Sequence, residues 1–200
     1  GEVDEAVDAL YTAIELDPQD ARALHHLGLF LEEQGDWEGA LEAYREAASI
    51  DPDHAGYLRQ IGSVLCELGD YEQATDVLKE AVNLEPREAD GYGLLGQASA
   101  GAGYGEDALE AYQKAIALAP QAATYHRDLG RLLAELGDDA GAIESLQKAV
   151  SLDDSDVEAY EALGEIWEAA GDLEEALADY RRAADLAFEA AKYRMACGRV

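Results

Sequence analysis

Apolar and small residues return along the chain at i, i+3, i+4 and i+7. Leu24, Leu27, Gly28 and Leu31 form one such run, and Leu58, Ile61, Gly62 and Leu65 form the next. That spacing lays a single stripe on a helix of 3.6 residues per turn. A second kind of run follows each first one, as in Ala40, Leu41, Tyr44, Ala47 and Ala48, with counterparts Ala74, Leu78, Ala81 and Ala176, Leu177, Tyr180, Ala183. The pattern predicts pairs of amphipathic helices. Between the members of a pair, Gly-Asp recurs in GDW, GDY, GDD and GDL. The glycine is expected to end the first helix in a left-handed conformation, and Asp36, Asp70, Asp138 or Asp172 to cap the second. A proline beyond the second helix stops it and sets up the next pair.

The pairs repeat with a fixed step. Pro18, Pro52, Pro86 and Pro120 lie 34 residues apart, with Asp154 in the next place. Gly28, Gly62, Gly96, Gly130 and Gly164 keep the same step, as do Gly1, Gly35, Gly69, Gly103, Gly137 and Gly171. Three independent series in one register mark an internal repeat. Complete units run 21–54, 55–88, 89–122, 123–156 and 157–190. Residues 1–20 read as a second helix alone. Residues 191–200 read as a partial repeat or capping helix, because Gly198 is in register but no proline breaks the chain near Phe188. The sequence also lacks an initiator Met, so the array is expected to be cut at both ends.

This pattern resembles the tetratricopeptide repeat family over essentially the whole chain. The family's bulky residue, Leu-Gly, Ala, aromatic and closing Pro appear as Leu24, Leu27, Gly28, Ala40, Tyr44, Ala47 and Pro52. They return as Tyr160, Leu163, Gly164, Ala176, Tyr180 and Ala183. The resemblance implies an all-α fold, a right-handed α-solenoid of stacked antiparallel helix pairs, with residues 1–200 forming one array. It also implies a non-catalytic protein–protein interaction module.

Composition narrows the partners. With 14 basic against 44 acidic residues, the formal charge is −30. Affinity for phosphate backbones comes largely from Lys and Arg, so nucleic acid and anionic membranes are not expected as partners. No apolar run approaches the ~20 residues of a membrane span, and no signal peptide is visible. Cys66 and Cys197 are widely separated, which reads as free thiols in a reducing, cytoplasmic setting, with a periplasmic one left open.

One stretch suggests different chemistry. "GYGLLGQASAGAGYG", from Gly91 to Gly105, opens with G-x-G-x-x-G. A dinucleotide fingerprint leaves a strand and enters a helix, whereas this one follows a helix and a proline turn. The repeat already assigns Gly96 to packing and Gly103 to a turn. Gly91, Gly93, Gly101 and Gly105 have no repeat role, and Tyr104 replaces the capping Asp. The unit is therefore expected to be a weak one, a hinge, or a floor kept bare for a ligand. His25, His26, His54 and His126 fall at different repeat positions, and adjacent helical residues point about 100° apart, so no metal site is expected. No nucleophile elbow, P-loop or HExxH is present. Neither catalysis nor a cofactor is expected.

The resemblance places a concave groove on the second, fifth and ninth residues of each first helix. Those positions hold Arg22, His25, Leu29; Gly56, Arg59, Ser63; Asp90, Gly93, Gln97; Thr124, Arg127, Arg131; and Glu158, Glu161, Glu165. Four of the ten arginines sit there in an otherwise acidic protein. A guanidinium fork suits carboxylates, so Arg22, His25, Arg59, Ser63, Gln97, Arg127 and Arg131 are the candidate groove residues for a peptide, possibly an acidic one. The competing reading is internal pairing, for example Arg131 with Glu135 one turn along. The Lys and Asn clamp of chaperone-binding members is not matched, since its places carry His25 or Arg59, Leu29 or Ser63, and Asp90. Two alternatives stay open: a scaffold that self-associates through the ends of the array, giving a homo-oligomer, and a regulatory arm of a larger enzyme.

Overall fold

The computed structural model describes the backbone of residues 2–197 and the side chains of residues 9–188. Eleven helices follow one another in it, with no strand among the described residues. They are α1 (Glu2–Leu16), α2 (Ala21–Glu33), α3 (Trp37–Ile50), α4 (Ala55–Glu67), α5 (Tyr71–Leu84) and α6 (Ala89–Gly101). The series continues with α7 (Gly105–Leu118), α8 (Ala123–Glu135), α9 (Asp139–Leu152), α10 (Val157–Ala170) and α11 (Leu173–Cys197). The last is 25 residues long and passes Phe188 unbroken.

The turn inside each pair is short because one residue serves two helices. Gly35, Gly69, Gly103, Gly137 and Gly171 all have φ between 75° and 87°. At the first of these turns the Gly35 N–H donates to the Glu32 carbonyl and the Asp36 N–H to the Leu31 carbonyl, both at 2.9 Å, which is the Schellman closure. The Asp36 side chain then accepts from the Gly39 N–H at 3.1 Å and opens α3. Asp138 repeats this on Gly141 at 3.1 Å. Asp70 does not, and its carboxylate makes no cap hydrogen bond. Asp36 and Asp138 face a glycine three residues on, where a Cβ would meet the carboxylate oxygen at 2.6 and 2.5 Å. Asp70 faces Gln73 there, and the Cβ of that residue occupies the space. Tyr104 carries no carboxylate, yet its N–H still reaches the Ser99 carbonyl at 2.8 Å, so the turn survives on its backbone alone.

First helices are capped by side chains at two places. Asp20 accepts from Arg22 and Ala23 N–H at 3.0 and 3.3 Å, and Asp156 from Ala159 N–H at 3.0 Å. His54, Glu88 and Ala122 make no side-chain cap bond. Where proline is missing at Asp154, the Asp153 carboxylate holds the turn by accepting from the Ser155 N–H at 3.0 Å and its hydroxyl at 2.6 Å.

Contacts group the helices into two units, Gly1–Ala111 and Tyr112–Val200, with the boundary inside α7. In the first unit α2 packs on α3 and α4 on α5, while α6 lies against both α4 and α5. In the second unit α8 packs on α9 and α10 on α11, with α10 also against α8 and α9. Four hairpins close where a glycine admits a large side chain. A Cβ on Gly28 would enter the Tyr44 ring, and one on Gly62 the Leu78 side chain. On Gly130 and Gly164 it would come within 2.6 Å of Leu146 and Tyr180. Tyr44, Leu78 and Leu146 are fully buried. Gly101, which the repeat leaves without a role, packs under the ring of Tyr71.

Val3, Val7, Leu10 and Ile14 are spaced to lie along one stripe of α1. Ile14 packs on the cluster of Leu24, Ala47 and Tyr57. The side chains of Val3 and Val7 lie outside the described residues. On the second helices of the first unit a pairing recurs one repeat apart. Arg45 donates to Gln73 at 3.4 Å, and Lys79 to Asp107 at 3.0 Å. Both pairs join residues 28 apart, and the second is the first displaced by one repeat.

Candidate functional site

In the first unit the expected groove positions Arg22, His25, Arg59, Ser63 and Gln97 fall on α2, α4 and α6. Arg22 and Gln97 are exposed, while His25, Arg59 and Ser63 are half-buried. The Arg59 guanidinium donates to the Glu85 carboxylate, in a pair whose side chains keep 24% and 50% of their surface. His25 packs between two tyrosines, its ring centre 5.6 Å from Tyr44 and 5.4 Å from Tyr57. Burial holds the His25 pKa below its ordinary value of 6.5, and the charges of His26 and His54 push the same way.

Arg127 and Arg131 lie on α8 in the second unit. Arg127 meets Asp128 at 3.1 Å, Asp156 at 3.3 Å and Glu158 at 3.6 Å. Burial alone would lower its pKa, but the three carboxylates outweigh burial and raise it. Burial also raises the pKa of Asp128, against the pull of Arg127. The Asp156 side chain is only 6% exposed and caps α10 as well. This ion group therefore joins two successive repeats as part of the structure. Arg131 turns to Glu158 at 3.7 Å, not to Glu135 one turn along. Helix spacing pointed to the partner inside α8, but a contact between repeats supplies the carboxylate.

A cleft of about 460 Å³ opens in the first unit where two repeats meet. Its walls come from the end of α1, the start of α2, the end of α3 and the start of α4, and include Asp17, Asp20, Arg22, Asp51, His54 and Tyr57. The exposed His54 ring lies flat on Tyr57, with centroids 4.1 Å apart and an interplanar angle of 15°. Gly56 allows this, because a Cβ there would come within 2.7 Å of the imidazole. Sequence reasoning missed this cleft. Asp17 and Asp51 lie outside the first helices, and His54 carried only its lack of a metal partner. The signal available was His54 placed three residues before Tyr57, across a glycine.

Among the described residues, no group of three or more His, Cys, Asp or Glu side chains is placed to hold a metal ion. No described helix is long and apolar enough to cross a membrane. Cys66 is buried and free, with its thiol pushed up to about 11 by burial first and Glu67 second. At neutral pH it is a packed thiol with almost no thiolate.

The family model for the cilia and flagella-associated protein 70 C-terminal domain matches residues 1–197. No curated protein matches the sequence. Several solved structures are similar. A MamA fragment from Desulfovibrio magneticus RS-1 is 30% identical over 78% of this chain and 88% of its own, with a TM-score of 0.72. TTC0263, a thermophilic TPR protein of Thermus thermophilus, is 29% identical over 88% of this chain and 95% of its own, with a TM-score of 0.71. YrrB, described as a TPR protein with an unusual peptide-binding site, is 24% identical over 92% of this chain and 98% of its own, with a TM-score of 0.68. At that identity YrrB speaks for the fold alone.

Proposed function

The chain belongs to the tetratricopeptide-repeat family of the cilia and flagella-associated protein 70 C-terminal domain, and we propose that it binds a peptide segment with acidic side chains. The family and the similar TPR structures support the broader role of a protein–protein interaction module. The residues proposed to touch the peptide are Arg22, His25, Arg59, Ser63 and Gln97 on the first-helix face of residues 1–111. Arg131, in the second unit, is a candidate for an acidic contact of its own.

The observation that carries this reading is the placement of arginine. A chain of charge −30 keeps four of its ten arginines at first-helix positions. Arg59 pairs with the exposed carboxylate of Glu85 and Arg131 with that of Glu158. An exposed ion pair contributes about 0–1 kcal/mol, so a ligand carboxylate can replace such a partner at little cost. Arg127 is different: its pairing with nearly buried Asp156 makes it a fixture of the repeat junction.

Titration of the purified protein with an acidic peptide library at low salt tests the reading. Arg59→Ala should weaken a binding peptide by roughly tenfold, corresponding to about 1.4 kcal/mol. Its thermal midpoint should stay close to that of the unaltered protein. If no acidic peptide binds at low salt, or if Arg59→Ala binds as well as the unaltered protein, Arg59 serves only Glu85 and the reading fails.

A further inference from the structure

The cleft between the first two repeats has features that packing does not use. Tyr57 is a wall residue only 3% exposed, yet no described group hydrogen-bonds its hydroxyl. Asp51, Arg22 and Asp20, which line the same cleft, act electrostatically on that hydroxyl. Asp17 and Asp20 each spend one carboxylate oxygen on backbone N–H groups, Asp17 on Gln19 at 3.0 Å and Asp20 on Arg22 at 3.0 Å. The second oxygen of each remains for another donor. Three carboxylates against the one guanidinium of Arg22 leave the cleft negative, and the His54 ring packed on Tyr57 forms part of its wall.

We propose that this cleft receives an arginine side chain from a partner protein. A guanidinium supplies the donors that the Tyr57 hydroxyl and the carboxylates of Asp17, Asp20 and Asp51 accept. An anionic side chain would meet three like charges there. The site shares Arg22 with the acid-binding face proposed above but does not rest on that reading. A single partner could engage both, with an arginine in the cleft and acidic residues further along the first helices, and the opposite charges would set its direction.

The test uses a blocked pentapeptide with a central arginine flanked by glycines. Two control peptides carry citrulline, which keeps the shape without the charge, or glutamate. Ring resonances of Tyr57 and His54 are followed by NMR in the full 200-residue chain. The arginine peptide should give saturable shifts at these two rings, and the controls should give none. Asp51→Asn and Tyr57→Phe should each weaken the arginine peptide by about fivefold or more. Arg59→Ala should not weaken it, and Tyr57→Phe should leave any acidic peptide's binding unchanged, so each proposal can fail without the other. Absent or non-saturating shifts, equal shifts from the citrulline peptide, or full binding by both cleft variants would overturn the proposal. A circular-dichroism melt of each variant separates lost contacts from lost folding. If Tyr57→Phe disturbs the packing, Asp51→Asn decides the matter alone, since an exposed carboxylate carries no core.

Discussion

At the scale of single residues the glycines divide into those that packing demands and those it does not. Gly62 lies against Leu78, a fully buried side chain with no room to yield. Alanine there gains about 1 kcal/mol of helix propensity but overpacks the hairpin, which costs roughly 1–3 kcal/mol. Gly62→Ala should therefore lower the thermal midpoint. Gly91 is roomier, with Val82 at 3.2 Å and Arg59 at 3.6 Å from a notional Cβ. Gly91→Ala should be neutral or raise the midpoint, and paired melts of the two variants check both signs. The roles of Gly28, Gly62, Gly130 and Gly164 were legible in the sequence because they keep the repeat step. That of Gly101 was not, because its partner Tyr71 lies 30 residues earlier, on another helix. The failure of Asp70 to cap was open to a closer reading, since the GDxxG of Asp36 and Asp138 becomes GDYEQ at that turn.

Helix by helix, the glycine-rich unit remains the weak one even though α6 forms in full. Its interior glycines cost roughly 0.8–1 kcal/mol each against alanine, while the lack of a side-chain cap is shared with α4 and α8. Its tertiary contacts hold it in place, as Gly91, Tyr92, Gly93, Leu95, Gly96, Ala98 and Ser99 are all buried. A helix that depends on packing more than on its own propensity opens more readily. Amides of α6 should exchange faster than those of α4 and α8, its counterparts one repeat away on each side. Equal protection across the three would show that packing fully offsets the glycines. Periodicity fixed the existence and approximate ends of these helices. It did not reveal which acid faces which base, because Arg59 with Glu85 and Arg127 with Asp156 join residues 26 and 29 apart on different helices. A pattern of hydrophobic positions is silent on such pairs. For the same reason the candidate site was legible as a face of first helices, but the arginine partners and the Tyr57 cleft were not.

For the molecule as a whole the dominant quantity is its charge of −30. Like charges repel in the folded state, and added salt screens them, with a Debye length of ~10 Å at 0.1 M and ~3 Å at 1 M. The visible ion pairs are few and mostly exposed, and contribute about 0–1 kcal/mol each. Repulsion should therefore outweigh attraction, so the thermal midpoint should rise with salt over this range. Binding of an acidic peptide should weaken over the same range, because it depends on local arginines. Stability and affinity then move in opposite directions, and melts run beside titrations at matched salt would show it. If salt lowers both, exposed pairs contribute more to the fold than their geometry suggests.

The recurring pair on the second helices bears on how such a chain can change length. Arg45 faces Gln73 and Lys79 faces Asp107, so two successive junctions of the first unit share a socket at the same address. Excising residues 55–88 would bring Asp107 to the place of Gln73, opposite Arg45, and turn a neutral hydrogen bond into an ion pair. The shortened chain should still fold, and Asp107→Asn should weaken it slightly, by up to about 1 kcal/mol. Loss or gain of a whole unit is then a silent edit for the lattice of contacts, whereas loss of a single residue would misalign every socket that follows.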